Sequence, residues 1–163
     1  MRKPKTMLKK LPERYLSRSI IEETVKEKCI DRQRFHEYSK DDYMMVINRF
    51  FYAFVEHDND TEVDLNYCWL HFRKELKVIA TIKESIGWDN MLNAIKEKLA
   101  FDRSKKLYLI LGNGWVYEGF IDEITAVLYE VDGLIDEFYI VSPQFDKLAS
   151  YCDDGQCMVI IEK

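Results

Sequence analysis

A chain of 163 residues, 47% hydrophobic and 13% aromatic, carries enough apolar material to bury a core of its own, and nothing in its composition suggests a fibrous or low-complexity class. The formal charge of −5 hides an asymmetry: residues 1–18 hold seven Lys or Arg and one Glu, net +6, which leaves −11 for residues 19–163. An acidic body repels a phosphate backbone, so direct nucleic-acid binding by the main domain is excluded.

Residues 1–11 read as a mobile basic arm and residues 12–163 as a single α+β domain. The arm starts like a signal peptide, but no apolar stretch follows it, and no run approaches the roughly 20 apolar residues that span a bilayer. Docking of Arg2, Lys3, Lys5, Lys9 and Lys10 to nucleic acid or an anionic membrane surface is a separate role open to the arm. Cys29, Cys68, Cys152 and Cys157 show no secreted framework, so they are expected as reduced packing residues in a cytoplasmic protein.

A helix is expected from Pro12 to about Cys29, with Leu16, Ile20, Ile21 and Val25 on one face. Ser39 precedes Lys40, Asp41 and Asp42 as a capping hydroxyl, and Tyr43, Val46, Ile47, Phe50, Phe51 and Phe54 follow at helical spacing to about His57. From Leu65 to Ile86, Trp69, Phe72, Leu76, Ile79 and Ile82 fit a helical stripe, while Val78–Ile82 has strand composition; the stripe favours helix over a hairpin. Gly87 opens another amphipathic helix through Trp88, Met91, Leu92, Ile95 and Leu99.

Leu107–Leu111 reads as a buried strand ended by the turn Gly112-Asn113-Gly114. A helical stripe runs from Phe120 to Val131, and Phe138–Val141 is the next strand. Pro143 opens a short helix, Asp153-Asp154-Gly155 turns the chain, and Cys157–Ile161 closes as a strand in the same sheet. Strand, helix, strand favours a right-handed parallel crossover from 107–111 to 137–141. The expected fold is α+β: a helical N-terminal half packed on a small mixed sheet that contains a C-terminal β-α-β unit.

No motif with a complete chemical signature is present. Gly112-Asn113-Gly114 lacks the glycine spacing and the Lys-Ser/Thr pair of a phosphate loop, and Glu118 puts negative charge where a phosphate would sit. Cys68 with His71, or Cys152 with Cys157, does not complete a zinc ligand set, so no metal, cofactor or catalytic residue is expected. The alternative is a metal-dependent hydrolase or nuclease in which Asp64 and Glu75 hold the ion and Lys77 orients water.

From Val116 to Lys163 there are 11 acidic residues against two lysines, interleaved with aromatic residues. Charged residues at this density can serve solubility alone. The functional expectation is an acidic, aromatic face made by Trp115, Tyr117, Glu118, Asp136, Glu137, Tyr139, Asp146, Tyr151, Asp153 and Asp154 that binds a basic protein.

The segment Phe138-Tyr139-Ile140-Val141-Ser142-Pro143-Gln144-Phe145-Asp146-Lys147-Leu148, the turn at Asp153-Asp154-Gly155 and the final strand, with Gly114-Trp115-Val116-Tyr117-Glu118-Gly119 upstream, resemble an uncharacterised bacterial domain family over roughly residues 105–163. In size and charge the chain is also similar to bacterial immunity proteins such as barstar and the SMI1/KNR4-like group. That second resemblance implies a non-enzymatic antitoxin that covers a basic toxin.

Overall fold

In the computed structural model, which describes residues 13–153 and 158–163, the chain runs through α1 (Glu13–Glu27), β1 (Phe35–Glu37), α2 (Tyr43–Phe54), β2 (Lys77–Ile82), α3 (Trp88–Lys98), β3 (Leu107–Leu111), β4 (Val116–Gly119), α4 (Ile121–Tyr129), β5 (Glu137–Val141), β6 (Lys147–Cys152) and β7 (Met158–Glu162). The seven strands make one sheet in the order β1-β4-β3-β5-β6-β7-β2, and every neighbouring pair is antiparallel. The α+β class expected from the sequence is therefore what the chain adopts. The expected arm at 1–11 lies outside the described residues.

Alternation along the strands sorts side chains onto two faces. Directly opposed residues Tyr117, Leu109, Ile140, Ala149 and Ile160 share one face with Phe138 and Tyr151. Helices α1, α3 and α4 cover it. Ile20, Ile21 and Val25 are buried on α1, Met91, Leu92 and Ile95 on α3, and Ile121, Ile124, Val127 and Leu128 on α4. The Trp88 indole donates to the Leu128 carbonyl at 2.7 Å and so ties α3 to α4. The opposite face, with Ile110, Val116, Tyr139, Val141, Leu148 and Ile161, is covered by α2, whose Phe50 ring lies 4.8 Å from that of Tyr139. Burying a sheet on both faces accounts for the near-continuous apolar runs in β3 and β5.

The helices of α1, α2, α3 and α4 agree with their sequence stripes, but their ends differ in detail. A 3₁₀ turn, Lys40–Asp42, separates Ser39 from α2, and the Ser39 side chain makes no capping bond. Helix α2 stops at Phe54 rather than at about His57.

Three expectations are overturned. Residues 65–86 are neither a helix nor a hairpin of their own: a 3₁₀ turn at Cys68–His71 leads to β2, which pairs with β7. The apparent helical stripe fails because Ile79 faces solvent, and a register shift between Val78 and Ala80 marks a bulge there. A bulge breaks the period-2 signal of a strand, so the β-branched content of Lys77–Ile82 was the better guide.

The sheet is not mixed, and β3 and β5 are antiparallel, which contradicts a direct parallel crossover between them. The missed element is β4, hidden between the glycine turn and α4. Because β4 and β5 both run antiparallel to β3, they are parallel to each other, and β4-α4-β5 is a β-α-β crossover with β3 inserted between its strands.

The short helix expected after Pro143 is a turn, followed by β6. Ser142, 4% exposed, accepts at its Oγ from the Asp146 and Lys147 amides at 3.1 and 2.9 Å, and Phe145 takes a left-handed φ of 56°. This side-chain bonding competes with helix continuation. Lys147 then reaches the Leu99 carbonyl at 3.2 Å and caps the end of α3. No helix of the described residues is long and apolar enough to cross a membrane.

Candidate functional site

Four of the acidic residues of the last third, Glu118, Asp122, Glu123 and Glu130, pair with basic residues from earlier in the chain. Glu123 binds Arg34 through both oxygens, Asp122 meets Lys96 at 3.0 Å, Glu130 meets Lys28 at 3.1 Å, and Glu118 meets His36 at 3.3 Å and Lys106 at 3.8 Å. Exposed pairs of this kind add about 0–1 kcal/mol each but cancel the local field. Asp146 is bonded to the Ser142 hydroxyl at 2.6 Å.

The expected aromatic members of the face are core residues. Tyr117 and Tyr139 are 0% exposed, Tyr151 is 6% and Trp115 is 8%. Tyr117 donates to Glu22 of α1 at 3.0 Å, and burial, reinforced by that carboxylate, raises its pKa. Tyr151 stacks on Phe138 at 5.3 Å and meets Trp88 edge-on at 5.0 Å. Trp115 lies beneath the Arg18 guanidinium at 5.7 Å and the Lys40 ammonium at 5.8 Å. These rings hold helices to the sheet.

Three of the expected residues do come together. Asp136, Glu137 and Asp153 line a cavity of about 610 Å³ at one end of the sheet, where the chain leaves β3, enters β5 and leaves β6. Gly112, Asn113, Asn66, Tyr67, Trp69, Cys152 and Ser17 complete the lining. The cavity has no Lys or Arg among its described lining residues. Asp154 lies outside the described residues.

Glu137 is half-buried at the start of β5. It accepts from the Tyr139 hydroxyl, its neighbour two residues along on the same face, and that hydroxyl accepts from the Cys68 thiol at 3.2 Å. Burial pushes the Cys68 thiol up to about 12, only partly offset by Tyr139. Burial likewise drives the Tyr139 hydroxyl far above its ordinary value, with the Cys68 and Glu137 charges adding to it. Neither group is a nucleophile at neutral pH.

The glycine turn shapes the cavity wall. A Cβ on Gly112 would stand 2.8 Å from Glu137 Oε2 and 3.0 Å from its Cβ, so glycine lets the β3 end pass close to β5. Gly114, at φ 90°, closes the turn with its amide on the Leu111 carbonyl at 2.8 Å. The bland reading of Gly112-Asn113-Gly114 as a turn is correct, and the turn also contributes cavity wall.

The opposite wall comes from the segment expected as helix. Tyr67 is 58% exposed in a left-handed conformation at φ 52°, which costs a non-glycine residue on the order of 1–3 kcal/mol. Trp69 beside it has its indole Nε1 buried, with no hydrogen-bond acceptor among the described residues. Sequence reasoning missed this wall because a helix over 65–86 would have turned these residues into a packing stripe.

Asp64, Glu75 and Lys77 have separate occupations. Asp64 accepts from the Asn66 amide at 2.9 Å, Glu75 is paired with Arg73, and Lys77 opens β2 opposite Glu162. Among the described residues no group of three or more His, Cys, Asp or Glu is placed to hold a metal ion.

Neither a curated protein nor a solved structure matches the chain. A family model does match, over residues 13–163, which takes in every element described above: the chain belongs to the family of unknown function DUF6756.

Proposed function

We propose that this chain is a non-enzymatic protein-binding domain that receives basic side chains of a partner protein in the acidic cavity at the end of its sheet. The observation that carries this reading is the grouping of Asp136, Glu137 and Asp153 in one cavity of about 610 Å³ that also contains Tyr67 and Trp69. Glu118, Asp122, Glu123 and Glu130 meet basic residues of the same chain. Grouped carboxylates attract a cation and set its orientation, while aromatic walls give contact area at low entropy cost.

A lysine or arginine side chain fits this chemistry. The role we assign is that of a bacterial, cytoplasmic immunity protein that neutralises a basic toxin. The acidic balance of residues 19–163 supports it, since a net charge of −11 steers a basic protein toward this one.

The test is retention of partners from native cytoplasm on the wild-type chain and on an Asp136→Lys, Asp153→Lys variant, at low and high salt. A basic protein retained by the wild type at low salt, released at high salt and absent from the variant is expected. The same set of proteins on both baits would contradict the reading.

A further inference from the structure

We propose that the open edge of β2 is a second binding surface, which takes an extended acidic and apolar segment of a partner protein as an added strand. This surface is separate from the acidic cavity and does not depend on it. Strand β2 ends the strand order, with β7 as its neighbour in the sheet. Among the described residues no main-chain hydrogen bond joins Lys77–Ile82 to any element other than β7. An edge strand leaves a row of N–H and C=O groups pointing outward, and strand addition uses that row as its template.

The two edges of the sheet differ. At the far edge β1 is three residues long, and its Phe35 is buried. Strand β2 is six residues long, with Val78 53% exposed and Ile79 beside it at the surface. Edges are ordinarily blunted by shortness, by lysines or by a bulge. β2 has Lys77 and the bulge at Ile79, yet it keeps an apolar pair in solvent. Cross-strand contacts to an added strand would bury that pair.

Charge selects the occupant. From Arg73 to Glu84 four basic residues stand against two acidic ones, whereas residues 19–163 as a whole are net −11. Arg73 is held by Glu75, but Lys74, Lys77 and Lys83 are exposed and make no ion pair among the described residues. Lys77 stands opposite Glu162 in register without closing one. A second copy docked through the same edge would bring these lysines against their own kind, which is unfavourable. A strand carrying Asp or Glu among β-branched residues meets them with opposite charge while it covers Val78 and Ile79. The same field thus opposes self-association and favours an acidic segment.

The experiment titrates the full chain into a fluorescent, end-capped peptide of alternating glutamate and valine and follows anisotropy. Two peptides of equal length serve as comparisons: alternating lysine and valine, and alternating glutamate and proline, which has the same charge but is a poor strand. The glutamate–valine peptide alone is expected to bind, and to slow hydrogen exchange in the amides of Lys77–Ile82. A Lys74→Glu, Lys77→Glu, Lys83→Glu variant should bind it at least about tenfold more weakly, and a Lys26→Glu, Lys40→Glu, Lys105→Glu variant of equal net charge should bind it as the wild type does. No binding, equal binding of the glutamate–proline peptide, or equal losses in the two variants would overturn the inference. So would a dimer of the free chain in sedimentation with the 77–82 amides protected, since a second copy would then hold the edge.

Discussion

The Tyr139 hydroxyl joins Glu137 to Cys68, donating a hydrogen bond to the carboxylate and accepting one from the thiol at 3.2 Å. This bond links the cavity floor on β5 to the 3₁₀ turn that carries the Tyr67 and Trp69 wall. Removing it should loosen the cavity and cost stability together. Tyr139→Phe removes both of these hydrogen bonds and is expected to destabilise the chain by about 1–3 kcal/mol, read as a lower urea midpoint with an unchanged slope.

The same burial makes thiol reactivity a test of the fold. Cys29 is exposed, whereas Cys68 and Cys152 are buried, and the Cys68 thiol is raised to about 12. Alkylation of the native chain at pH 8, followed by mass spectrometry, should label Cys29 rapidly and Cys68 only on unfolding. Equal rates at Cys29 and Cys68 would contradict the placement of Cys68 against Tyr139.

How far these features could be read in advance depends on what each signal measures. The buried faces of α2 and α4 repeat every third or fourth residue, and that period alone located both helices. Strand β4 was hidden because four residues between a glycine turn and a helical stripe leave no room for a period to show. Strand β2 was hidden by its bulge at Ile79, which let Trp69, Phe72, Leu76, Ile79 and Ile82 imitate a helix. Of the ten residues expected to form a face, the four rings were misassigned because aromatic residues in a seven-stranded sheet are needed for its two packed faces. Asp136 and Glu137 were legible as acidic, but only sheet order brings them to Asp153.

The edge position of β2 separates the strand from the helix by mutation. Ile82 is 8% exposed in the core and Ile79 is 36% exposed at the bulge. Ile82→Ala should cost about 2–4 kcal/mol, while Ile79→Lys should stay within about 0.5 kcal/mol, both from denaturant titration. A helix with both residues on one buried stripe would make the two comparably costly.

Arg18 provides a pH test. Its guanidinium donates to Glu37 at 2.7 Å, and Tyr43 donates to the same carboxylate. Burial pushes the Glu37 carboxyl up, but the bonds from Arg18 and Tyr43 outweigh it and hold the group below its ordinary value of 4.5. A depressed folded-state value means stabilisation that is complete above the unfolded value and fades as pH falls through the folded one. Arg18→Gln should therefore be less stable than the wild type at pH 7, with the gap closing below about pH 4. A gap that is constant from pH 7 to pH 3 would show that Arg18 acts by packing alone.

Gly112→Ala tests how closely β3 approaches β5. The added methyl must displace the Glu137 side chain, which stands 2.8–3.0 Å from the Cβ position. Affinity for a basic probe should fall, with a loss of stability of about 1–3 kcal/mol from the overpacked contact. Unchanged affinity and stability would mean that Glu137 does not sit against the turn.

The most direct measurement is calorimetric titration of hexalysine into the wild-type chain and into an Asp136→Asn, Asp153→Asn variant at two salt concentrations. The account expects binding by the wild type that weakens with salt and is reduced at least about tenfold in the variant, since each lost charge contact removes roughly 1 kcal/mol or more. Equal, salt-independent binding by both chains, or none by either, would contradict the assignment of the cavity to basic side chains.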